Sequence, residues 1–254
     1  MKVTFLGTGT SCGVPVIGCQ CEVCRSADAR DRRLRCSILV ETEHTRLLVD
    51  CGPDFRQQIL PHPFRRIDGI LVTHSHYDHV GGMDDIRPYC QFGQINVYAD
   101  PTACKGMLDM LPYCFAAHRY PGVPQIELHE IHAGQRFRIG DIDILPIEVR
   151  HGKLPILGYR FGNFAYITDM KTMADEQALL LQGVDTLVVN ALRFDWPHHS
   201  HQLVADAVRF ARRVEARRTL LTHLCHDIGL FDEATAKLPA GIELAYDGEV
   251  LSFR

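Results

Sequence analysis

Thr73-His74-Ser75-His76-Tyr77-Asp78-His79-Val80-Gly81-Gly82 is the stretch on which the reading of this chain turns. It follows directly on Gly69-Ile70-Leu71-Val72, an apolar run with the length and composition of a buried strand. A helix-like stretch comes next, so a polar cluster is delivered at the carboxyl end of a strand, where α/β proteins collect their ligands. In an extended segment side chains alternate with period two, so His74 and His76 point the same way. Once the chain turns into a helix, Asp78 and His79 start a second set of donors beside the first. Neutral imidazole and carboxylate are ligands of zinc, manganese and iron. His-x-His-x-Asp-His after a strand is therefore read as a metal-binding motif.

The rest of the chain supplies matching groups. The apolar segment 142–149 runs into Arg150-His151-Gly152, and Phe164 to Thr168 runs into Asp169. Arg218 to Thr222 ends in His223. Trp196-Pro197-His198-His199-Ser200-His201 precedes an apolar-periodic helix, and His201 stands immediately before it. Cys19-Gln20-Cys21-Glu22-Val23-Cys24 packs three thiols into one loop. That suits a closed tetrahedral zinc site in need of one more ligand; the plain alternative is three free cysteines in a turn.

Composition bounds the partners. A chain of 254 residues with 46% hydrophobic residues suits one mixed α/β domain, 1–254, with a full core. A formal net charge of -4 and a pI near 6.4 argue against wrapping nucleic acid. No leader and no membrane-length apolar run is seen, so a cytoplasmic protein is expected. The ten cysteines then read as ligands, small buried side chains or thiols rather than disulfides.

Between these landmarks the pattern predicts a helix over 84–89 stopped near Pro88, and another over 172–181. It predicts a meander of strands over 125–129, 135–139 and 142–149, and a closing hairpin over 242–253 around Asp247-Gly248. The arginines between Asp28 and Arg35 are read as a solvated face, as are Arg209, Arg212 and Arg213. Tyr113 to Pro124 is read as an irregular segment.

The motif, the opening Leu6-Gly7-Thr8-Gly9 and the cysteine loop resemble the metallo-β-lactamase-fold hydrolases over essentially the whole chain. Within that fold they are similar to the PhnP-type cyclic-phosphate phosphodiesterases, a branch related to the transfer-RNA 3′-processing nucleases. The resemblance implies a four-layer αββα sandwich. It implies two divalent cations in the active site: His74, His76 and His151 hold one, Asp78, His79 and His223 the other, and Asp169 bridges them. Zinc or manganese is expected, and iron is admitted by the same donors. Asp50 would support the motif through hydrogen bonds. Asp78 would orient the metal-activated hydroxide, and His201, with His198 and His199 as competitors, would contact the scissile phosphate. His226 would complete a structural zinc with Cys19, Cys21 and Cys24, with Cys225 and Cys36 as competing fourth ligands. Met170 departs from the small residue usual after the aspartate.

The function implied is metal-dependent hydrolysis of a small, cyclic or phosphoribosyl-type phosphodiester, by a protein with no nucleic-acid or membrane partner, and a homodimer by family habit. The alternatives are an RNA 3′-processing nuclease, a thioester or lactone hydrolase, or a PqqB-like accessory protein. Against them stand the missing basic arm, the lack of room for an extra helical domain, and the complete ligand set.

Overall fold

The strands Ser37–Glu41 and Thr186–Asn190 are buried at every position, and successive side chains enter opposite apolar clusters, which sorts them into layers. Ile38 and Val40 enter one apolar cluster while Leu39 between them enters another. In the same way Leu187 and Val189 face one side and Val188 the other. The computed structural model that shows this describes residues 1–118 and 120–253; Arg119, within the 113–124 segment, and Arg254 lie outside it.

Six strands open the first sheet: β1 (Lys2–Gly7), β2 (Ser37–Glu41), β3 (Arg46–Val49), β4 (Gly69–Leu71), β5 (Ile95–Ala99) and β6 (Ile126–Glu130). Seven form the second: β7 (Phe137–Ile139), β8 (Ile142–His151), β9 (Leu154–Phe161), β10 (Phe164–Ile167), β11 (Thr186–Asn190), β12 (Arg218–Thr222) and β13 (Ile242–Leu244). β14 (Val250–Ser252) returns to the first sheet and pairs antiparallel with β1.

The central cluster, with Phe5, Ile38, Val49, Leu71, Tyr159, Phe164, Tyr166 and Val188, fills the space between the sheets. Helix Pro101–Met110 contributes to the cluster on the outer face of the first sheet, and helix Val204–Arg213 to that on the outer face of the second. The result is the αββα sandwich. β3, β4 and β5 run parallel, as do β10, β11 and β12, and their carboxyl ends meet at one edge. There the sheets are tied directly: Tyr159 Oη donates to Val72 O (2.6 Å) and Leu157 N to Thr73 O (2.9 Å).

Five expectations are corrected. β6 belongs to the first sheet, parallel to β5, and not to a meander with β7 and β8. The last two strands are not a hairpin, since β13 pairs with β12 in one sheet and β14 with β1 in the other. The Asp247 carboxylate explains the crossing, because it accepts from Thr8 Oγ1 (2.7 Å) and Leu34 N (2.7 Å) and so anchors the turn between the sheets. The helix at 172–181 shrinks to Asp175–Leu179, whereas the one at 84–89 is a 3-10 helix, Met83–Phe92, that runs through Pro88. The run 28–35 is no solvated face throughout. Arg33 is buried, its Nη1 donates to Ala245 O (2.6 Å) and Thr8 Oγ1 (2.8 Å), and burial pushes its pKa down to about 10. Arg209, Arg212 and Arg213 are exposed, as expected.

Glu41 on β2 is buried among three cations: Arg46 (2.7 Å), Arg65 (2.8 Å) and Lys2 (2.9 Å). Burial works against its charge, but Lys2 and Arg46 outweigh that and hold the carboxyl at about 2, below the ordinary 4.5. A depressed folded-state pKa stabilises above the unfolded value, and the gain disappears as pH falls through the folded one. Unfolding free energy should therefore drop by about 2 kcal/mol between about pH 4.5 and 2, part of the shift being screened at the exposed partners. In Glu41→Gln the loss over that window should be smaller by that amount, as urea titrations at each pH would show; an unchanged slope would contradict the assignment.

Candidate metal centre

Asp50, His74, His151, Asp169 and His223 lie at or just beyond strand ends. Asp50 follows β3, and its fully buried carboxylate accepts from Thr73 N (2.8 Å), Thr73 Oγ1 (2.9 Å) and His79 Nδ1 (2.7 Å). That commits His79 Nδ1 and turns Nε2 toward Asp78 Oδ2 (3.2 Å) and Asp169 Oδ2 (3.3 Å). Asp169 Oδ1 faces His223 Nε2 (3.1 Å) and His201 Nδ1 (3.7 Å). The two oxygens of Asp169 thus look in different directions, and Thr168 Oγ1 donates to Oδ2 (2.7 Å). His151 Nδ1 donates to Asp169 O (2.9 Å) and Ser200 O (3.2 Å), which leaves its Nε2 as a ligand atom.

Four donor groups result among the described residues, one of which, His151, Asp169 and His201, shares members with two others. His74, His76 and His151 form one; Asp78, His79, Asp169 and His223 a second; Cys19, Cys21, Cys24 and His226 a third, separate one. Within each, the ligand atoms lie within 4.8 Å of one another. His226 Nδ1 is 3.2 Å from Cys21 Sγ and 3.5 Å from Cys19 Sγ. The competitors fall elsewhere: Cys225 Sγ is directed at Asp227 Oδ2 (3.7 Å), and Cys36 is buried against Thr222 Oγ1 (3.4 Å). Among the three loop histidines, His201 is the one packed on His151 and His223, with ring centroids 4.8 and 4.6 Å away. His198 lies behind it and His199 is exposed.

Whether these residues suit cations can be asked of the atoms themselves. His79 Nε2, His201 Nδ1 and both ring nitrogens of His223 are buried without a hydrogen-bond partner. An orphaned buried polar atom costs about 1–3 kcal/mol, so such a cluster fits a coordinated ion. The charges agree. Burial opposes ionisation of Asp169, yet His223 and His79 hold its pKa well below the ordinary value. Burial likewise opposes charge on His79 and His223. Their carboxylate neighbours, Asp50 and Asp169 for His79 and Asp169 for His223, prevail and raise both, His223 to about 9. The pocket therefore demands positive charge. Divalent cations held by these donors would supply that charge and displace protons from the imidazoles. His74 and His76 are pushed down, chiefly by burial, and so are neutral and ready to ligate. Burial and His223 push His201 down to about 2.

Residues 45–224 match the model of the beta-lactamase superfamily domain. A solved structure described as a new diphosphatase from the PhnP family superposes with a TM-score of 0.91 at 38% identity, covering 100% of this chain and 98% of that one. The chain belongs to this superfamily and, within it, to the PhnP family. A protein named octanoyltransferase from Porphyromonas gingivalis is 41% identical over 249 residues, 98% of this chain and 51% of that protein. A ribonuclease Z from Bradyrhizobium diazoefficiens is 32% identical over 165 residues, 63% of this chain and 49% of the other. The chain spans about half the length of the curated relatives it matches.

Two supporting residues of this PhnP-family site escaped the sequence reading. Thr73 supplies two of the three bonds to Asp50, and only its place ahead of the motif hinted at it. Asn190 at the end of β11 clasps the backbone of Met170, its Oδ1 accepting from Met170 N (2.7 Å) and its Nδ2 donating to Met170 O (3.0 Å). That fixes the peptide after Asp169 while the Met170 side chain is fully buried.

Removing the Asp50 carboxylate strands a buried imidazole. In chelator-treated protein Asp50→Ala should cost about 3 kcal/mol of unfolding free energy by urea titration, the scale of a broken buried pair. A loss below about 1 kcal/mol, that of one ordinary hydrogen bond, would show that Asp50 does not hold the motif.

Proposed function

We propose that this chain is a metal-dependent phosphodiesterase acting on a small phosphodiester, of the cyclic, phosphoribosyl class. His74, His76 and His151 would hold one divalent cation and Asp78, His79 and His223 a second, with Asp169 shared between them. The observation that carries this reading is the buried carboxylate of Asp169, which clusters with Asp78, His79 and His223 on one side and with His151 and His201 on the other. Bound there, divalent cations lower the pKa of water toward neutrality and neutralise charge on phosphate oxygens. Asp78, from its place in the second donor group, would orient the attacking hydroxide. The buried imidazole of His201 offers an N–H to a non-bridging phosphate oxygen. Cys19, Cys21, Cys24 and His226 would form a structural zinc site remote from the chemistry.

The complete donor set supports an enzyme over an accessory binding protein. One observation favours a second substrate: the solved relative at 38% identity is called a diphosphatase, so a diphosphate-linked diester belongs in any substrate panel.

The deciding assay is hydrolysis of bis(p-nitrophenyl) phosphate and of p-nitrophenyl phosphate by protein stripped and reloaded with manganese or zinc. Turnover of the diester and not the monoester is expected; silence on both, with two cations bound in the site, would overturn the proposal. His201→Ala should retain both cations yet lose roughly 10²-fold in kcat. For Cys21→Ser, elemental analysis should show one ion fewer per chain, with the diesterase site still loaded. Full metal content there would mean that the cysteine loop is no zinc site.

A further inference from the structure

The segment between Leu192 and Val204 contains neither helix nor strand, yet it carries His201. Its base is closed by Leu192 N donating to Gln202 O (2.9 Å) and Val204 N to Arg193 O (3.0 Å). Inside the loop the carbonyls need other partners, and one side chain serves two of them. Lys171 Nζ donates to His198 O (2.7 Å) and to His201 O (3.0 Å).

Lys171 is itself held firmly. It stands two residues after Asp169, its N–H donates to Arg150 O (2.7 Å), and Arg150 N donates to Thr172 O (2.9 Å). One residue thereby joins the strand ends that present His151 and Asp169 to the loop that presents His201. We infer that Lys171 is a positioning residue whose ammonium fixes the His198–His201 loop and, through it, the place of the His201 imidazole.

The chemistry suits lysine. An ammonium has three donors that rotate to meet carbonyls in different directions, while a guanidinium is a rigid planar fork matched to carboxylates. Bonds from a charged donor are about twice as strong as neutral ones, so two of them hold a loop with no regular structure. A shift of about 1 Å in a catalytic group costs on the order of 10²-fold in rate.

The inference rests on the reading that His201 acts on the phosphate, so the test is a double-mutant cycle on bis(p-nitrophenyl) phosphate with metal-loaded enzyme. Lys171→Met keeps the aliphatic stem and removes the donors. It should lower kcat roughly 10- to 100-fold with KM and metal content little changed, and Lys171→Arg should recover part of the loss. In a His201→Ala background the same change should cost less than about threefold, because the group being positioned is already gone. Equal cost in both backgrounds would overturn the inference. Full activity in His201→Ala alone would instead remove the reading beneath it, and the inference with it.

A second readout needs no turnover. The chain's one tryptophan, Trp196, is exposed on this loop. Acrylamide quenching of its fluorescence should increase in Lys171→Met; unchanged quenching would mean that the loop does not depend on the lysine.

Discussion

The site depends first on a carboxylate that water never reaches. Asp50 is fully buried, and a lone buried charge costs several kcal/mol unless its lone pairs are met. Three donors meet them, two from Thr73 and one from His79. The chain after β4 must therefore turn back sharply, so that a residue six positions beyond Thr73 returns to the same acid. Once it does, His79 has one usable nitrogen left, and its direction is set. The spacing of the motif is in this sense a bonding requirement as much as a ligand pattern.

The backbone shows what this arrangement demands. Asp50, Asp169 and His223 all adopt left-handed conformations, with φ of 61°, 56° and 56°. Each is the residue at which an apolar strand stops and its side chain turns to the site. Asp and His tolerate that region better than branched residues, and held strain of this kind clusters at functional sites. The second sheet adds its own braces: Asn190 grips the peptide after Asp169, and His151 is oriented by two carbonyls.

The donors were legible in the sequence because each sits where an apolar run ends, and a polar residue there has little structural reason to exist. The sandwich was legible through the resemblance, since periodicity alone gave only many strands. The partner sheet of each strand was not legible. Asp247-Gly248 reads as a hairpin turn from its residue types, but the bonds to Thr8 and Leu34 that send the chain to the other sheet come from positions more than two hundred residues away. Arg33 looked like its charged neighbours until Ala245 and Thr8 closed over it. The place of His201 just before a helical pattern favours it over His198 and His199, but its packing on His223 had no sequence signature. A single lysine such as Lys171 has no signature beyond its proximity to Asp169.

The donors are divided between the two halves of the sandwich. His74, His76, Asp78 and His79 follow β4, whereas His151, Asp169 and His223 follow strands of the other sheet, and the cysteine loop meets a histidine near the far end of the chain. Neither the His74–His76–His151 group, the Asp78–His79–Asp169–His223 group nor the cysteine–histidine group is complete within either half. A chain still emerging from the ribosome therefore cannot complete the Asp78–His79–Asp169–His223 group or the cysteine–histidine group until its last quarter has been made. Docking of the sheets creates the clusters, and an ion shared across that seam opposes their parting. The same groups that would do the chemistry would then also slow the opening of the fold, so that metal starvation would shorten the life of the protein as well as silence it.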